Sequence, residues 1–192
     1  MNIVETDGEA LLLALRKVLA GKNLVTDTEL QERMAATDNA SPGQGAKMVA
    51  RAWTDPAYRA LMLADGTKAA EAMNIPMRGM PPLGVLENTD TVHNLVVCTL
   101  CSCYPRAVLG YPPFWYKSAA YRARAVRDPR GLLAEFHTTL PETVKIHVVD
   151  STADYRWMVL PKRPVGTEGW TPEQLAAIVR EGDMVGVTVP SI

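Results

Sequence analysis

The chain has 192 residues, room for one domain or a domain with an arm, and 47% hydrophobic against 21% charged residues suits a soluble protein that buries a core. A formal net charge of −1 leaves no electrostatic case for nucleic acid or an anionic membrane as partner. No apolar run is long enough to span a bilayer, and the acidic Glu5, Asp7 and Glu9 argue against a signal peptide.

The first part of the chain reads as helical. Leu11, Leu12, Leu15, Val18 and Leu19 recur at helical spacing, and Gly21 offers a stop. A second helix is predicted after Thr26 or Asp27, then a loop over 39–45. A third follows in AKMVARAW, with Met48, Val49, Ala52 and Trp53 facing inward. A fourth follows Asp55, a natural cap, with Pro56 in its first turn and the pattern running on through TKAAEAM.

After NIPMRGMPP the period changes. LGVLEN, HNLVV, KIHVVD, YRWMVL and MVGVTV read as buried strands. Between them lie helices in FWYKSAAYRARAVR, DPRGLLAEF and TPEQLAAIVREG, the last capped by Thr171. The expectation is an α+β fold. A helical N-terminal arm over 1–75 precedes a mixed α/β layered domain over 76–192 that carries the chemistry.

All three cysteines, Cys98, Cys101 and Cys103, fall in VVCTLCSCYPR, in a turn straight after a strand. An odd, tight cluster is no disulfide framework and fits a reducing, cytoplasmic setting. A redox dithiol made of Cys98 and Cys101 would leave Cys103 unexplained. An iron–sulfur cluster normally wants a fourth cysteine. Structural zinc would need His93, His137 or His147 as fourth ligand, and the C-x-C spacing is tight for that geometry. C-x-x-C-x-C can instead act as a claw. With the amides of Ser102 and Cys103 deprotonated, the sulfurs of Cys101 and Cys103 and the two nitrogens close fused five- and six-membered rings in one plane. Cys98 folds over as a fifth donor and a sixth position stays open for water or substrate. Thiolate and amidate donors favour a low-spin trivalent ion, cobalt(III) or iron(III), over zinc.

The motif VCTLCSCYP closely resembles the metal-binding motif of nitrile hydratase α subunits. VLENTDTVHNLVVCTLCSC, VLGYPPFWYKSAAYRARAVRDPRGLLAEF, YRWMVLPKRPVGTEGWTPEQLAAIV and MVGVTVP resemble further family blocks in the same order. The resemblance runs from about Gly45 to Pro190. It implies a fold of that α-subunit type and one metal ion per subunit, cobalt(III) ahead of iron(III). It implies Cys98 as axial thiolate, Cys101 oxidised to a sulfinic acid and Cys103 to a sulfenic acid, with amide nitrogens from Ser102 and Cys103. Thr99 and Tyr104 resemble the cobalt branch, whereas Gly79 stands where the iron branch often has glutamine.

The implied activity is hydration of a C≡N bond to an amide, with Cys103 acting as nucleophile or as base toward water. The implied partners are a β-type subunit whose arginines bond the oxidised sulfurs, a small nitrile, water and a metal-loading helper protein. Arg156 falls at the position of a family arginine near the metal; the competing reading is a strand charge or structural ion pair. Tyr104 and Trp115 line a pocket or pack in the core, the core being favoured for Trp115. His93 reads as a packing residue rather than a ligand. Lys117, Arg122 and Arg124 read as subunit contacts or a solvated face. Arg106 stands where many nitrile hydratases have a pocket-wall tryptophan, and a guanidinium there favours a polar or anionic substrate over a small alkyl nitrile, a polar or heteroaromatic nitrile being the expectation; the competing reading is that Arg106 points into the subunit interface. CSCYPR also resembles the thiocyanate hydrolase γ subunit, which makes that enzyme the alternative. A non-catalytic metal carrier or redox-regulated binding protein is the third reading.

Overall fold

The computed structural model describes residues 3–192. They form two compact units, one ending at Asn39 and one running from Ala40 to Ile192.

The first unit holds α1 (Ile3–Gly21) and α2 (Asp27–Asn39). Thr26 starts α2 with a reciprocal cap. Its hydroxyl accepts from the Glu29 amide at 3.1 Å, and its own amide donates to the Glu29 carboxylate at 2.9 Å. Arg16 pairs with Asp27 at 2.7 Å. The helical periodicity and the stop at Gly21 both hold.

In the second unit α3 spans Pro42–Thr54, α4 Pro56–Ala64 and α5 Gly66–Glu71. The expected loop over 39–45 is therefore helical from Pro42, whose fixed φ suits a first turn. The single helix expected after Asp55 is two. Asp55 caps Tyr58 as expected, but Asp65 accepts from the Lys68 amide at 3.0 Å and starts a new helix. Met48, Val49 and Ala52 are buried on the inner face of α3.

Four strands follow the expected pattern: β1 (Leu83–Glu87), β2 (Val92–Val97), β3 (Lys145–Asp150) and β4 (Arg156–Leu160). They form two parallel pairs, β1 with β4 and β2 with β3. β2 is buried along nearly its whole length, His93 and Asn94 included, whereas β3 stays exposed at Lys145, His147 and Asp150. Asn94 ties the pairs together, its side-chain amide donating to the Glu87 carbonyl at 2.8 Å and to Asn88 at 3.1 Å. The crossover from β2 to β3 carries α6 (Arg106–Leu109), α7 (Phe114–Lys117), α8 (Ala119–Arg127) and α9 (Pro129–Glu135). After β4 come α10 (Pro172–Ala177), capped by Thr171 as expected, and α11 (Glu181–Val185).

MVGVTV is not a strand. Asp183 accepts from the Arg180 amide at 2.8 Å and starts α11, while Gly186 ends it in the left-handed region at φ +89°. A Cβ at Gly186 would lie 1.9 Å from the Asn94 carbonyl oxygen, so glycine is required where this turn presses on β2. Among the described residues no helix is long and apolar enough to cross a membrane.

Candidate metal centre

β2 ends at Val97 and delivers Cys98 into a loop at its carboxyl end, the usual ligand-presenting end of a parallel strand. Cys98 is 1% exposed and Cys103 8%, while Cys101 between them faces solvent. The three sulfurs lie within 4.8 Å of one another. Cys98 Sγ is 3.5 Å from Cys101 Sγ, and Cys101 Sγ is 3.2 Å from Cys103 Sγ. Two sulfurs at about 2.3 Å from one ion and at right angles would be about 3.3 Å apart, so the trio fits a shared ion. The Ser102 and Cys103 amides both help to lower the Cys101 thiol, and the Cys101 amide donates to Cys98 Sγ at 3.3 Å. Neither the Ser102 nor the Cys103 amide donates to a backbone carbonyl among the described residues.

The sulfurs differ electrostatically. Hydrogen bonds from Cys103, then Cys98, then the Ser102 amide lower the Cys101 thiol to about 7. Burial, with its two sulfur neighbours, pushes Cys103 up to about 12, against a small pull from Arg156. His93 and His147 are engaged elsewhere. Buried His93 contacts Asn88 at 3.1 Å and the Gly186 carbonyl at 2.7 Å, and His147 contacts Asn94 at 3.0 Å.

The loop is fixed from several sides. Register puts Val97 opposite Asp150, whose carboxylate accepts from the Thr99 amide at 3.0 Å and from its hydroxyl. Buried Tyr116 donates its hydroxyl to the Cys103 carbonyl at 2.9 Å, and Tyr121 donates to the Val96 carbonyl at 2.6 Å. Buried Tyr104 donates to Glu181 at 2.6 Å, and burial drives its phenol far above its ordinary range. Trp115 packs on the core, edge-on to Tyr116, Tyr121 and Phe136.

Cys101, Ser102 and Cys103 open onto a cleft of about 310 Å³. Met77, Met80, Pro81 and Leu83 form its apolar wall, with Tyr104, Arg106 and Arg156 also lining it. Gly79, at φ +73°, sits third in a tight turn that brings Met77 and Met80 together. Register explains the far wall, since Leu83 opposite Arg156 puts the first residues of β1 and β4 side by side. Among the described residues Arg156 Nη1 is buried without a hydrogen-bond partner. Arg106 starts α6, exposed, with its guanidinium over the Tyr111 ring at 5.2 Å. Cys98 lies behind the cleft rather than on it. Asp150, Tyr116, Glu181, Met77 and Met80 escaped the reading of the sequence; only Asp150, ending a strand in KIHVVD, carried a usable signal.

The family described as "Nitrile hydratase, alpha chain" matches residues 6–188. The chain belongs to that family. It is 49% identical over 183 residues to the low-molecular weight cobalt-containing nitrile hydratase subunit alpha of Rhodococcus rhodochrous, covering 95% of this chain and 88% of that one. It is 41% identical over 196 residues to the thiocyanate hydrolase subunit gamma of Thiobacillus thioparus, covering 96% and 81%. A solved structure of a double mutant of the Fe-type nitrile hydratase from Comamonas testosteroni Ni1 superposes with a TM-score of 0.79 at 40% identity, covering 96% and 91%. The nitrile hydratase α-chain fold expected from the cysteine motif is thus the fold present.

Proposed function

We propose that this chain is the metal-bearing α-type subunit of a cytoplasmic nitrile hydratase, hydrating a polar or heteroaromatic nitrile to its amide. The carrying observation is three sulfurs within 4.8 Å of one another, two of them on a cleft whose wall holds a guanidinium nitrogen of Arg156 without a hydrogen-bond partner among the described residues. Cobalt-containing relatives and the donor set support low-spin cobalt(III), one ion per subunit, over iron(III). Cys98, Cys101 and Cys103 with the Ser102 and Cys103 amides would hold it, and the metal-binding catalytic domain is the segment 76–192. When bound, the ion supplies Lewis acidity toward the nitrile.

The remaining work belongs to the protein. Cys103, as a sulfenic acid, presents its oxygen to the nitrile carbon or to a water. Cys101, as a sulfinic acid, adds a fixed negative charge. Arg156 neutralises this charge from within the chain, and a β-type subunit supplies further arginines. Met77, Met80 and Leu83 exclude water from the substrate's apolar side, and Arg106 bonds its polar end. A metal-loading helper protein is the further expected partner.

Arg106 also supports a second reading, the metal-bearing subunit of a thiocyanate hydrolase, because a guanidinium on the cleft suits a small anion bearing C≡N. One experiment separates the readings: co-expression with the β-type subunit in cobalt medium, then metal analysis, intact mass, and assay on a pyridine carbonitrile and on thiocyanate. The expected result is cobalt, three added oxygens and amide formation. Turnover of thiocyanate but not of nitriles would transfer the assignment to the second reading, and absence of both metal and added oxygens would overturn the site.

A further inference from the structure

Helix α8 has three faces with different fates. Tyr121 and Ala125 are buried toward β2. Arg124 is satisfied on a second face by Asp128 and Glu135. The third face combines exposed Ala119 and Ala123, Val126 at 55% exposure, and Arg122 and Arg127. Together with Thr99 of the metal loop it lines an open groove of about 360 Å³. Among the described residues neither Arg122 nor Arg127 has an ion-pair partner, and Arg122 Nε is buried without a hydrogen bond. The nearby Asp150 carboxylate is turned to Thr99. A buried guanidinium nitrogen left unmatched costs free energy until a fitted acceptor arrives.

We propose that this groove docks an acidic segment of the β-type subunit, its carboxylates pairing with Arg122 and Arg127 beside the metal loop. This rests on the reading of the chain as one subunit of a hetero-oligomer. Charge complementarity selects the occupant: two planar forks free on one face match carboxylates, and the small Ala119 and Ala123 let a peptide backbone come close. Leu100, 87% exposed and next to Thr99, extends the contact with apolar area. Because Thr99 is part of both groove and loop, docking here braces the cysteine loop from one side while Asp150 holds it from the end of β3.

The test uses the co-expressed, cobalt-loaded complex. With Arg122→Lys and Arg127→Lys, a carbodiimide should couple the helix to an acidic peptide of the β-type subunit, identified by mass spectrometry of the digest. The reversal Arg122→Glu with Arg127→Glu should weaken assembly at least about tenfold and flatten its salt dependence, with the circular dichroism of the free chain unchanged. Coupling only to a second copy of this chain would overturn the proposal, as would no coupling to the β-type subunit together with unaltered assembly of the reversed form. An assembled, coupled complex that hydrates nothing would sink the catalytic reading and leave the docking site standing. An active complex indifferent to the reversal would do the opposite.

Discussion

At the residue scale, the centre depends on groups that touch no substrate. Asp150 holds Thr99 by both amide and hydroxyl, fixing the residue between the first cysteine and the exposed crest of the loop. Asp150→Asn keeps an acceptor for the Thr99 amide but gives up the carboxylate charge, and its amide can meet the hydroxyl only by reversing that bond. The expected outcome is a lower cobalt content per chain after dialysis and reduced turnover, with global stability almost unchanged; metal analysis and steady-state assay of the same sample check it. Arg106 governs choice rather than chemistry. It lines the cleft and leans on Tyr111, so Arg106→Trp should shift relative kcat/KM toward small alkyl nitriles over polar ones by about tenfold. Competition assays with paired nitriles read that ratio directly, and an unaltered preference would remove Arg106 from the specificity account.

At the element scale, short helices meet at single polar atoms. The Ser118 hydroxyl donates to the Trp115 carbonyl at 2.8 Å, closing α7, and accepts from the Tyr121 amide at 3.1 Å, opening α8. Ser118→Ala should therefore cost about 1–2 kcal/mol, read as a lowered denaturation midpoint. Helix α11 has a different device. Asp183 is buried, its carboxyl raised above the ordinary value by burial despite bonds from Thr188 and the Arg180 amide. Its sign follows from linkage. A carboxyl raised in the folded state binds its proton more tightly there than unfolded, so its contribution is full below pH 3.8 and declines as pH rises through the folded value. Asp183→Asn gives up one acceptor at every pH but removes that decline. Thermal melts from pH 4 to 7 should show the variant gaining on the native protein as pH increases.

At the scale of the whole molecule, the metal face is unfinished in the single chain. Leu100 in the loop is 87% exposed, and Tyr111 beside Arg106 is exposed too. Cobalt-loaded chain without its β-type subunit should therefore show no nitrile hydration above background, and adding the subunit should restore it. The extent to which this architecture could be read from sequence follows the range of each interaction. Four strands, the caps at Asp55 and Thr171 and the cysteine claw are written in local spacing, and the structure bears out the strands and caps. MVGVTV misled because its apolar alternation is local, while the Asn94 carbonyl that demands Gly186 lies on a distant strand. The breaks at Asp65 and Ser118 were missed because a capping side chain inside a helical pattern looks like any other polar residue. The cleft wall was not legible for the same reason. Met77 and Met80 come to share a cleft with Cys103 only in the folded chain, with no periodic pattern in the sequence to mark it.

Those parallel pairings also set an order of events during synthesis. β1 finds its partner only when β4 has emerged, and β2 waits for β3, so Leu83 cannot meet Arg156 while the chain is still short. Non-local pairing of this kind is slow. Cys98, Cys101 and Cys103 leave the ribosome well ahead of Asp150, which pins their loop, and of Arg156, which walls their cleft. On the nascent chain the three thiols are thus not yet fixed by Asp150. The arrangement that brings the cleft walls around them is complete only once β3 and β4 have paired.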